Sequence, residues 1–355
     1  MSHFQMIQAD GHEGVLYCSD KETGLRGFIS IHNTTLGPGM GGIRIKSYPS
    51  EEAALQDVLD LSRAMTYKNS MAGLNYGGAK SVIMADPHTE KTPEMLRAFA
   101  HRMNLFRGTY VSASDVGSTA DDLNIMREIC EWVPCKPKEI GGLGDSSPLT
   151  SVGVFEGMKA AVKFATGKDN VAGLHVGIEG VGKVGKGLAK HLLNAGATVS
   201  VSDVYQPAVD ALVAEYPQIK AVSIEELPTL DLDVFSPNGI GGTVTEAVAQ
   251  NLKAKVVCGG ANNPLASHAV AKVLNERGIA FAPDFVVNAG GVITIAAEMD
   301  GKDWAYAEEK TLDIYNTTMR VLEHAKTNNM LPLDAAIALA QERIDSAKNP
   351  QACAV

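Results

Sequence analysis

In the second half of the chain, short apolar runs alternate with stretches of helical periodicity. The runs that predict strands are LHVGIEG, VSVSDV, DVFSPN, AKVVCGG and IAFAP, and most of them are followed by a helix-like stretch. Buried apolar strands that alternate with helices are typical of a parallel sheet covered on both faces. We therefore predict a parallel α/β domain for this half of the chain.

The first half of the chain has a less regular pattern. Residues 15–32 alternate well enough to predict strands, and a helix is predicted from an N-cap at Ser50. Its buried face would consist of Leu55, Val58, Leu59 and Met65. This helix leads to a glycine turn, GGAK, and then to a short strand, SVIMA, at 81–85.

The pattern downstream of that strand predicts further helices and one more strand. Thr92 and Pro93 begin a helix as N-cap and first helical residue, and another helix begins near Thr119. Between them, residues 109–117 predict a strand that runs into a loop carrying Asp115. Together these elements predict a mixed sheet with helices for the first half.

The change of pattern places a domain boundary near residue 145. We predict a first domain over 1–145, a second over 146–330 and a C-terminal helix within 331–355 that packs back on the first domain. The second domain would begin with a helix over 150–166 that ends at Gly167. The end of the chain predicts two helices, near 303–329 and 333–347.

Composition and charge limit the possible partners. The net charge of -10 argues against nucleic-acid and membrane-surface partners, which select a basic face. No apolar run approaches the length of about 20 residues that spans a bilayer, and the start of the chain lacks the features of a signal peptide. The cysteines are few, odd in number and scattered, which favours reduced thiols in the cytoplasm; they are Cys18, Cys130, Cys135, Cys258 and Cys353.

The histidines show no metal-ligand spacing. None of the nine forms an i, i+4 pair on a predicted helix with a nearby carboxylate, and Cys130 and Cys135 have no second cysteine pair. We therefore assign no metal.

A glycine-rich segment, EGVGKVG, follows the first predicted strand of the second half. Gly180, Gly182 and Gly185 match the G-x-G-x-x-G pattern, a helix follows, and the next strand leads to Asp203. This order is typical of a dinucleotide-binding βαβ unit, with the pyrophosphate at the helix N-terminus. An acidic residue at this position accepts hydrogen bonds from the adenine ribose and repels a 2′-phosphate, so the pattern favours NAD over NADP.

Lys80 comes directly after Gly77, Gly78 and Ala79, at the mouth of the apolar run that follows. A lysine at the end of a buried strand is partly desolvated, and desolvation lowers the pKa of the amine. A neutral amine there could act as a general base. A solvated lysine on a turn remains the alternative at this point.

Several motifs together resemble the family of amino acid dehydrogenases that act on glutamate, leucine, valine and phenylalanine. They occur in the family's order and spacing over nearly the whole chain: TTLGPGMGGIR, MTYKN, AGLNYGGAK, SDVG, GDSSPLTSVGVF, GVGKVG, GGANN and APDFVVNAGGVI. The resemblance implies two domains, an N-terminal mixed-sheet domain for substrate binding and oligomerisation and a C-terminal Rossmann-type domain for NAD. Because the lysine motifs precede residue 145 and the glycine pattern follows it, catalysis is expected between these domains.

The resemblance also implies roles for individual residues. Lys80 would be the general base that activates water, Lys68 would bind the substrate carboxylate, and Asp115 would carry protons to and from the substrate nitrogen. The residues around the substrate would be Met40, Gly41, Gly42, Lys68, Ala113, Asn262, Asn288, Val292 and Ile295. Those around the coenzyme would be Thr150, Gly180, Val181, Gly182, Lys183, Val184, Gly185, Asp203 and Asn262.

The pocket residues indicate the substrate class. Glutamate-specific relatives carry a lysine at the position of Met40 and a serine near Ile295, whereas both positions are apolar here. Burying an unpaired carboxylate against apolar side chains costs several kcal/mol, about 2–7 for a polar group and more for a charge, so glutamate should be rejected. The resemblance is strongest to the leucine and valine enzymes, which implies leucine, valine or isoleucine as substrate, and its 2-oxo acid, ammonia and NADH as products.

Two alternatives stay open on the sequence alone. One is a phenylalanine or tryptophan dehydrogenase of the same family, and the other is a sensor that binds NAD or an amino acid without catalysis. Lys68, Lys80 and Asp115 together favour the enzyme. Relatives range from dimers to octamers, so we expect a homo-oligomer. Departures from the common family pattern occur at Gly39, Ala79, Ser114 and Asn238.

Overall fold

Contacts divide the chain into two units in the computed structural model, which describes residues 2–348. Unit 1 comprises the chain up to Asp145, the segment Ile295–Asp303 and the chain from Ala340 onward. Unit 2 comprises Ser146–Thr294 and Trp304–Leu339. Cys353 and the end of the predicted segment 331–355 lie outside the described residues.

The strands fall into one sheet in each unit. Strands β1 to β6 belong to unit 1 and β7 to β12 to unit 2. In chain order they are β1 Gly14–Asp20, β2 Leu25–Asn33, β3 Gly39–Met40, β4 Ile43–Ile45, β5 Gly77–Ile83, β6 Tyr110–Val111, β7 His175–Glu179, β8 Thr198–Ser202, β9 Lys220–Ala221, β10 Val234–Pro237, β11 Val256–Val257 and β12 Ala280–Phe281.

The helices lie before, between and after these strands. In chain order they are α1 His3–Ala9, α2 Glu51–Met71, α3 Pro93–Met103, α4 Ala120–Arg127, α5 Ser147–Thr166, α6 Lys183–Asn194, α7 Gln206–Glu215, α8 Glu246–Asn251, α9 His268–Glu276, α10 Asp284–Val287, α11 Gly290–Met299, α12 Trp304–Leu312, α13 Ile314–Thr327 and α14 Pro332–Lys348.

Unit 1 contains the predicted mixed sheet, in the order β1-β2-β5-β3-β6, with β4 also paired to β5. The β1–β2 and β2–β5 pairs are antiparallel, whereas β3 and β4 run parallel to β5. Every residue of β5 is buried, since this strand lies inside the sheet and α2 packs on it. An apolar cluster that includes Ile29, Ile83 and Phe99 joins the sheet to α3 and α4.

The predicted turn before Lys80 is wrong. Gly77, Gly78 and Ala79 belong to β5 together with Lys80, and the strand ends at Ile83 rather than continuing to Ala85. The chain turns earlier, at Gly73, whose φ is +68°. A β-carbon on Gly78 would lie 2.0 Å from Thr66 Oγ1 and 2.3 Å from Thr66 N, so the bare strand lets α2 approach at backbone distance.

The buried face of α2 was predicted only in part. Leu55, Val58 and Leu59 are buried as predicted, but Met65 is only half-buried. The buried face continues through small polar residues, Ser62, Thr66, Asn69 and Ser70. Apolar periodicity could not reveal this part of the face, because its small polar side chains meet polar partners such as the Ser30 hydroxyl group, Gly77 O and Ala340 O.

Unit 2 contains a fully parallel sheet in the order β12-β11-β10-β7-β8-β9. The chain starts in the middle at β7, builds outward through β8 and β9, and then continues on the other side with β10. This is the strand order of the Rossmann fold, in which ligands bind where the order reverses, beside the carboxyl end of the first strand. The predicted α/β class with two domains of different sheet type is confirmed.

Local capping signals placed several helix ends correctly. Ser50, Thr92 and Thr119 each accept a hydrogen bond from the backbone of the first turn of α2, α3 and α4. Gly167 ends α5 in the left-handed conformation, as predicted. The helix itself begins at Ser147, three residues before the predicted start, so Thr150 lies in its first turn.

The prediction of one long helix near 303–329 was wrong. The chain forms α12 and α13 there, with Asp313 between them. The side chain of Asp313 accepts a hydrogen bond from Asn316 at 2.7 Å, and such local polar contacts compete with helical hydrogen bonds. The short edge strand β9 was also missed, since its two exposed residues carry no apolar signal.

Among the helices of residues 2–348, none combines the length and apolar composition needed to cross a membrane.

Candidate active site

Lys80 and Asp115 form a buried ion pair in unit 1. Lys80 Nζ lies 3.0 Å from Asp115 Oδ2, and the Lys80 side chain is only 7% exposed. Arg44 Nε lies 3.0 Å from the same carboxylate oxygen. Two cations therefore share one oxygen of Asp115.

This arrangement fixes the charge of Asp115. Burial by itself would raise the pKa of the carboxyl group, but the positive charges of Lys80 and Arg44 outweigh it and lower the pKa to about 2. Asp115 is therefore ionised throughout the neutral range. An ionised carboxylate can accept a proton but cannot donate one.

Neighbouring strands place the three charged groups. Lys80 lies in β5 opposite Ser30 of β2, and Arg44 lies in β4, which pairs with β5. Asp115 follows β6 in a loop whose backbone is fixed by the Ser118 hydroxyl group, which accepts from Asp115 N at 2.9 Å and donates to Ile43 O at 2.8 Å. The loop is thereby tied to the strand that carries Arg44.

Arg44 is a site residue that the sequence analysis missed. Its Nη1 contacts Asp57 of α2 at 3.1 Å, and the Tyr48 hydroxyl group donates to Asp57 Oδ2 at 2.6 Å. The arginine thus joins two carboxylates that are far apart in the sequence. Its position in the GGIR motif, directly after a buried glycine segment, was the available signal.

Lys68 lies in a helix that packs on β5, and the glycine segment Met40–Gly42 lies beside the same strand. Lys68 is half-buried in the last turn of α2. Met40 is fully buried in β3, and a β-carbon on Gly41 would lie 1.8 Å from Ala79 O. A β-carbon on Gly42 would lie 2.7 Å from Ser114 O and 3.1 Å from the Asp115 β-carbon. The two glycines therefore bring the segment up against Lys80's strand and Asp115's loop.

The other substrate residues predicted for this unit are Ala113 and Ile295. Ala113 is buried, and its carbonyl oxygen accepts from Ile43 N at 2.8 Å, which continues the strand pairing toward Asp115. Ile295 is half-buried in the part of α11 that belongs to unit 1.

In unit 2 the glycine fingerprint lies between β7 and α6. Gly180 has a φ of +91°, and a β-carbon there would lie 2.4 Å from Gly239 N. A β-carbon on Gly185 would lie 2.0 Å from Gly180 O. Gly182, the N-cap of α6, has nothing within 4 Å of such a carbon and no side-chain cap. Gly180 and Gly185 thus allow tight packing, and Gly182 leaves the helix N-terminus open.

Asp203 lies beside this loop at the end of β8. Its Oδ2 accepts from Val181 N at 2.7 Å, and its Oδ1 accepts from Tyr205 N at 2.8 Å. Each carboxylate oxygen keeps a lone pair for a further donor. The side chain is partly exposed.

A second group of polar residues in unit 2 combines the loop after β11 with the C-terminal end of α10 and the start of α11. Asn288 donates to Asn262 Oδ1 at 2.9 Å and to Gly260 O at 3.2 Å. A β-carbon on Gly291 would lie 3.2 Å from Thr150 Oγ1, so α5 and α11 meet closely at Thr150. Val292 follows in α11 and is buried. The structure thus brings Asn262 and Asn288 together.

Comparison with known proteins decides the family. The family model described as Glu/Leu/Phe/Val dehydrogenase, dimerisation domain, matches residues 12–133, and the model described as glutamate/leucine/phenylalanine/valine dehydrogenase matches residues 204–351. The chain belongs to this dehydrogenase family. It is an oxidoreductase that acts on amino acids with a nicotinamide coenzyme, as the sequence motifs predicted.

Individual relatives of the family match over almost the full chain. Leucine dehydrogenase of Bacillus cereus is 42% identical over 98% of this chain and 94% of its own length. Valine dehydrogenase of Streptomyces virginiae is 43% identical over 95% of each chain. The crystal structure of L-tryptophan dehydrogenase from Nostoc punctiforme is 36% identical, has a TM-score of 0.85 and covers 97% of this chain and 99% of its own.

The open helix N-terminus at Gly182 fits the pyrophosphate of the coenzyme that the family uses. The first turn of α6 contains no acidic residue, so its backbone N–H groups and the helix dipole favour an anion. Asp203 would then accept from the coenzyme's ribose, while Val181, Lys183 and Val184 would complete the loop. These residues of the dehydrogenase therefore fit a dinucleotide.

Two of the departures from the family pattern compensate each other. These are Gly39 and Ala79. A β-carbon on Gly39 would lie only 2.8 Å from the Ala79 β-carbon, in the parallel pairing of β3 and β5. The space between the strands holds one methyl group, and here residue 79 supplies it.

The departure at Asn238 has a structural role as well. Its Oδ1 accepts from Gly260 N at 2.8 Å, and its Nδ2 donates to Ser236 O at 2.9 Å. The side chain thereby links the loops after β10 and β11. Ser114 pairs with Ile43 through its backbone, and nothing in its surroundings explains the choice of side chain.

Proposed function

We propose that the protein catalyses the reversible, NAD-dependent oxidative deamination of branched-chain L-amino acids to their 2-oxo acids and ammonia. The observation that carries the proposal is the 3.0 Å contact between Lys80 Nζ and Asp115 Oδ2, because it pairs a buried amine with a buried carboxylate. Proton exchange between an amine and a carboxylate is what the hydrolysis of an imino acid needs.

The coenzyme, when bound, accepts a hydride from the substrate Cα. Lys68 holds the substrate carboxylate through its ammonium group and so sets the position of Cα. As the Cα–H bond breaks, the amino nitrogen becomes an imino nitrogen, and the proton released from it is taken by Asp115.

Water then adds to the imino carbon. Lys80, as free amine, takes a proton from this water while the new C–O bond forms. Asp115 returns its proton to the nitrogen, and the C–N bond then breaks as ammonia leaves. The C–OH group becomes a carbonyl by giving its hydroxyl proton to the Asp115 carboxylate, which is ionised again at this point. Arg44 stays bonded to Asp115 throughout, so the carboxylate keeps its place when Lys80 loses its charge.

The substrate class rests on the relatives and on the apolar pocket residues. The leucine and valine dehydrogenases match at 42% and 43% identity. Met40, Ala113, Val292 and Ile295 offer no cation to a side-chain carboxylate. We therefore assign leucine, valine and isoleucine to this chain.

A panel of amino acids at alkaline pH, followed through NADH absorbance, tests this assignment. We expect kcat/KM for leucine, valine and isoleucine to exceed that for phenylalanine and tryptophan, by about 10-fold or more because each methylene is worth about 1–3 kcal/mol. Glutamate should fall roughly 10³-fold below leucine because its second carboxylate would be buried unpaired. If kcat/KM for phenylalanine or tryptophan exceeded that for all three branched-chain substrates, the result would favour an aromatic amino acid dehydrogenase. The similarity to the L-tryptophan dehydrogenase structure makes this the alternative to test.

NAD rather than NADP is the proposed coenzyme because of the Asp203 carboxylate. Its negative charge would repel a 2′-phosphate, and its free lone pairs would accept from the ribose hydroxyl groups. We expect kcat/KM for NADH to exceed that for NADPH by about 100-fold or more, since like-charge juxtaposition costs several kcal/mol. In Asp203→Asn this ratio should fall at least 10-fold. Equal rates with both coenzymes in the wild type would contradict the assignment.

We also infer a cytoplasmic homo-oligomer. The cysteines within the described residues are free thiols, at Cys18, Cys130, Cys135 and Cys258. The family model that matches residues 12–133 is described as a dimerisation domain, which supports self-association through unit 1. Light scattering of the purified chain would give the number of subunits.

A further inference from the structure

Asn69 is a fully buried amide in the last turn of α2, directly after Lys68. Its Nδ2 donates to Gly77 O of β5 at 2.6 Å and to Met40 O of β3 at 3.2 Å. It joins the end of one helix to two parallel strands.

The orientation of this amide is determined by its surroundings. Turning it over would place Oδ1 against two carbonyl oxygens, which only accept hydrogen bonds. In the present orientation Oδ1 is buried and has no hydrogen-bond partner among the described residues. An unpaired buried acceptor costs roughly 1–3 kcal/mol of stability. Stabilisation of the helix therefore does not by itself explain an asparagine at this position.

The two carbonyl groups belong to the segments that carry the proposed site. Met40 precedes Gly41 and Gly42, which approach Asp115's loop, and Gly77 lies three residues before Lys80 in β5. The strands are paired in parallel register, Gly39 with Gly77 and Met40 with Gly78. One amide therefore connects Lys68's helix turn to the strand of Lys80 and to the glycine segment.

We propose that Asn69 is a positioning residue that sets Lys68 in place relative to Lys80. The inference rests on the proposed function, in which Lys68 binds the substrate carboxylate and Lys80 activates water. If the carboxylate moves, Cα moves with it, and a displacement of about 1 Å can cost roughly 10²-fold in rate. The missing side chain at Gly78 of β5 lets α2 come close, and the Asn69 amide fixes the position of the helix there.

Asn69→Ala tests this role by separating substrate affinity from folding. We expect KM for leucine to rise about 10-fold or more, and kcat to fall. The inhibition constant of 4-methylpentanoate, a branched carboxylate without an amino group, should rise by a similar factor because it depends on Lys68. The NADH dissociation constant, measured by fluorescence, should change less than about 2-fold because the glycine fingerprint is untouched.

Ser70→Ala is the matched control in the same helical turn. The Ser70 hydroxyl group is also buried and donates a comparable bond, to Ala340 O at 2.9 Å, but it does not touch β3 or β5. It should lower the melting temperature about as much as Asn69→Ala while leaving KM and the inhibition constant unchanged. Equal shifts in both variants would reduce Asn69 to a structural residue and overturn the proposal.

Asn69→Asp supplies a second readout that keeps the shape of the side chain, even if the alanine variant does not fold. An ionised carboxylate would face the two carbonyl oxygens, whereas a protonated one could donate to one of them. The ratio of inhibition constants, variant to wild type, should therefore fall as the pH is lowered from 9 to 6, since burial raises a carboxyl pKa. A ratio near 1 at every pH would overturn the proposal.

The outcomes also distinguish this inference from the proposed function. If the wild type deaminates none of the amino acids in the panel, the proposed function is wrong. If the wild type is active and Asn69→Ala leaves both KM and the inhibition constant unchanged, only the role of Asn69 is wrong.

Discussion

Replacing Lys80 with alanine is expected to lower kcat for leucine by about 10²–10⁴-fold, the contribution that a positioned acid–base group usually makes. The Lys80 amine is the buried base next to Asp115, and Arg44 cannot replace it because a guanidinium group stays protonated. Affinity for NADH should stay within about 2-fold of wild type, because the glycine fingerprint lies in unit 2. Stopped-flow rates and NADH fluorescence titration would measure both quantities.

Lys91→Ala is the matched control for the loss of a buried lysine. Lys91 Nζ lies 2.6 Å from Asp122 Oδ2, and this pair is nearly as buried as that of Lys80 with Asp115. Breaking such a pair is expected to cost roughly 3–5 kcal/mol of stability. Lys91→Ala should therefore be destabilised yet keep most of its kcat. If Lys80→Ala retained more than a tenth of the wild-type kcat, Lys80 would not be the base.

Much of unit 2 could be predicted because its signals are local. The run LHVGIE, the three glycines and the helix that follows are adjacent in sequence, and together they define a βαβ unit. The strands at β8, β10, β11 and β12 each appear as an apolar run, and parallel pairing follows from their alternation with helices. The order of the strands in the sheet is then limited by the right-handed crossover.

Unit 1 was harder to predict because its site depends on contacts between distant residues. Arg44 reaches Asp115 and Asp57, and neither partner is near it in the sequence. The motifs identified Lys80 and Asp115, but they did not show that Arg44 of the GGIR motif shares the carboxylate. The low pKa of Asp115 depends on both cations, so the electrostatics of the site required the three-dimensional arrangement.

The role of the glycines before Lys80 could not be predicted either, because it depends on residues that are distant in the sequence. A pair of glycines in sequence suggests a turn, and we predicted a turn at these residues. Gly77 and Gly78 lie instead in a buried strand, where a β-carbon on Gly78 would meet α2 and one on Gly77 would lie 1.9 Å from Asn33 O. Single-sequence reasoning cannot distinguish these uses, because both require the absence of a side chain and only the neighbour differs.

Gly78→Ala is expected to have a large effect on folding for a single added methyl group. The new carbon would lie 2.0 Å from Thr66 Oγ1, 2.3 Å from Thr66 N and 2.6 Å from Ser62 O. Two of these atoms are helix backbone, so a rotamer change cannot relieve the overlap and α2 must move away from β5. Overpacking typically costs about 1–3 kcal/mol, and a contact with backbone should reach or exceed the upper end.

The same displacement should reduce catalysis in the molecules that still fold. Lys68 lies in the turn of α2 after Thr66, and Lys80 lies two residues after Gly78, so moving the helix separates the two lysines. We expect kcat/KM for leucine to fall at least about 10²-fold. Urea unfolding and steady-state rates would measure the two effects separately. In the same sheet, Gly14→Ala adds a carbon that meets nothing within 4 Å and should change neither quantity. If Gly78→Ala kept the stability and the kcat/KM of the wild type, α2 and β5 would not be packed as closely as these distances indicate.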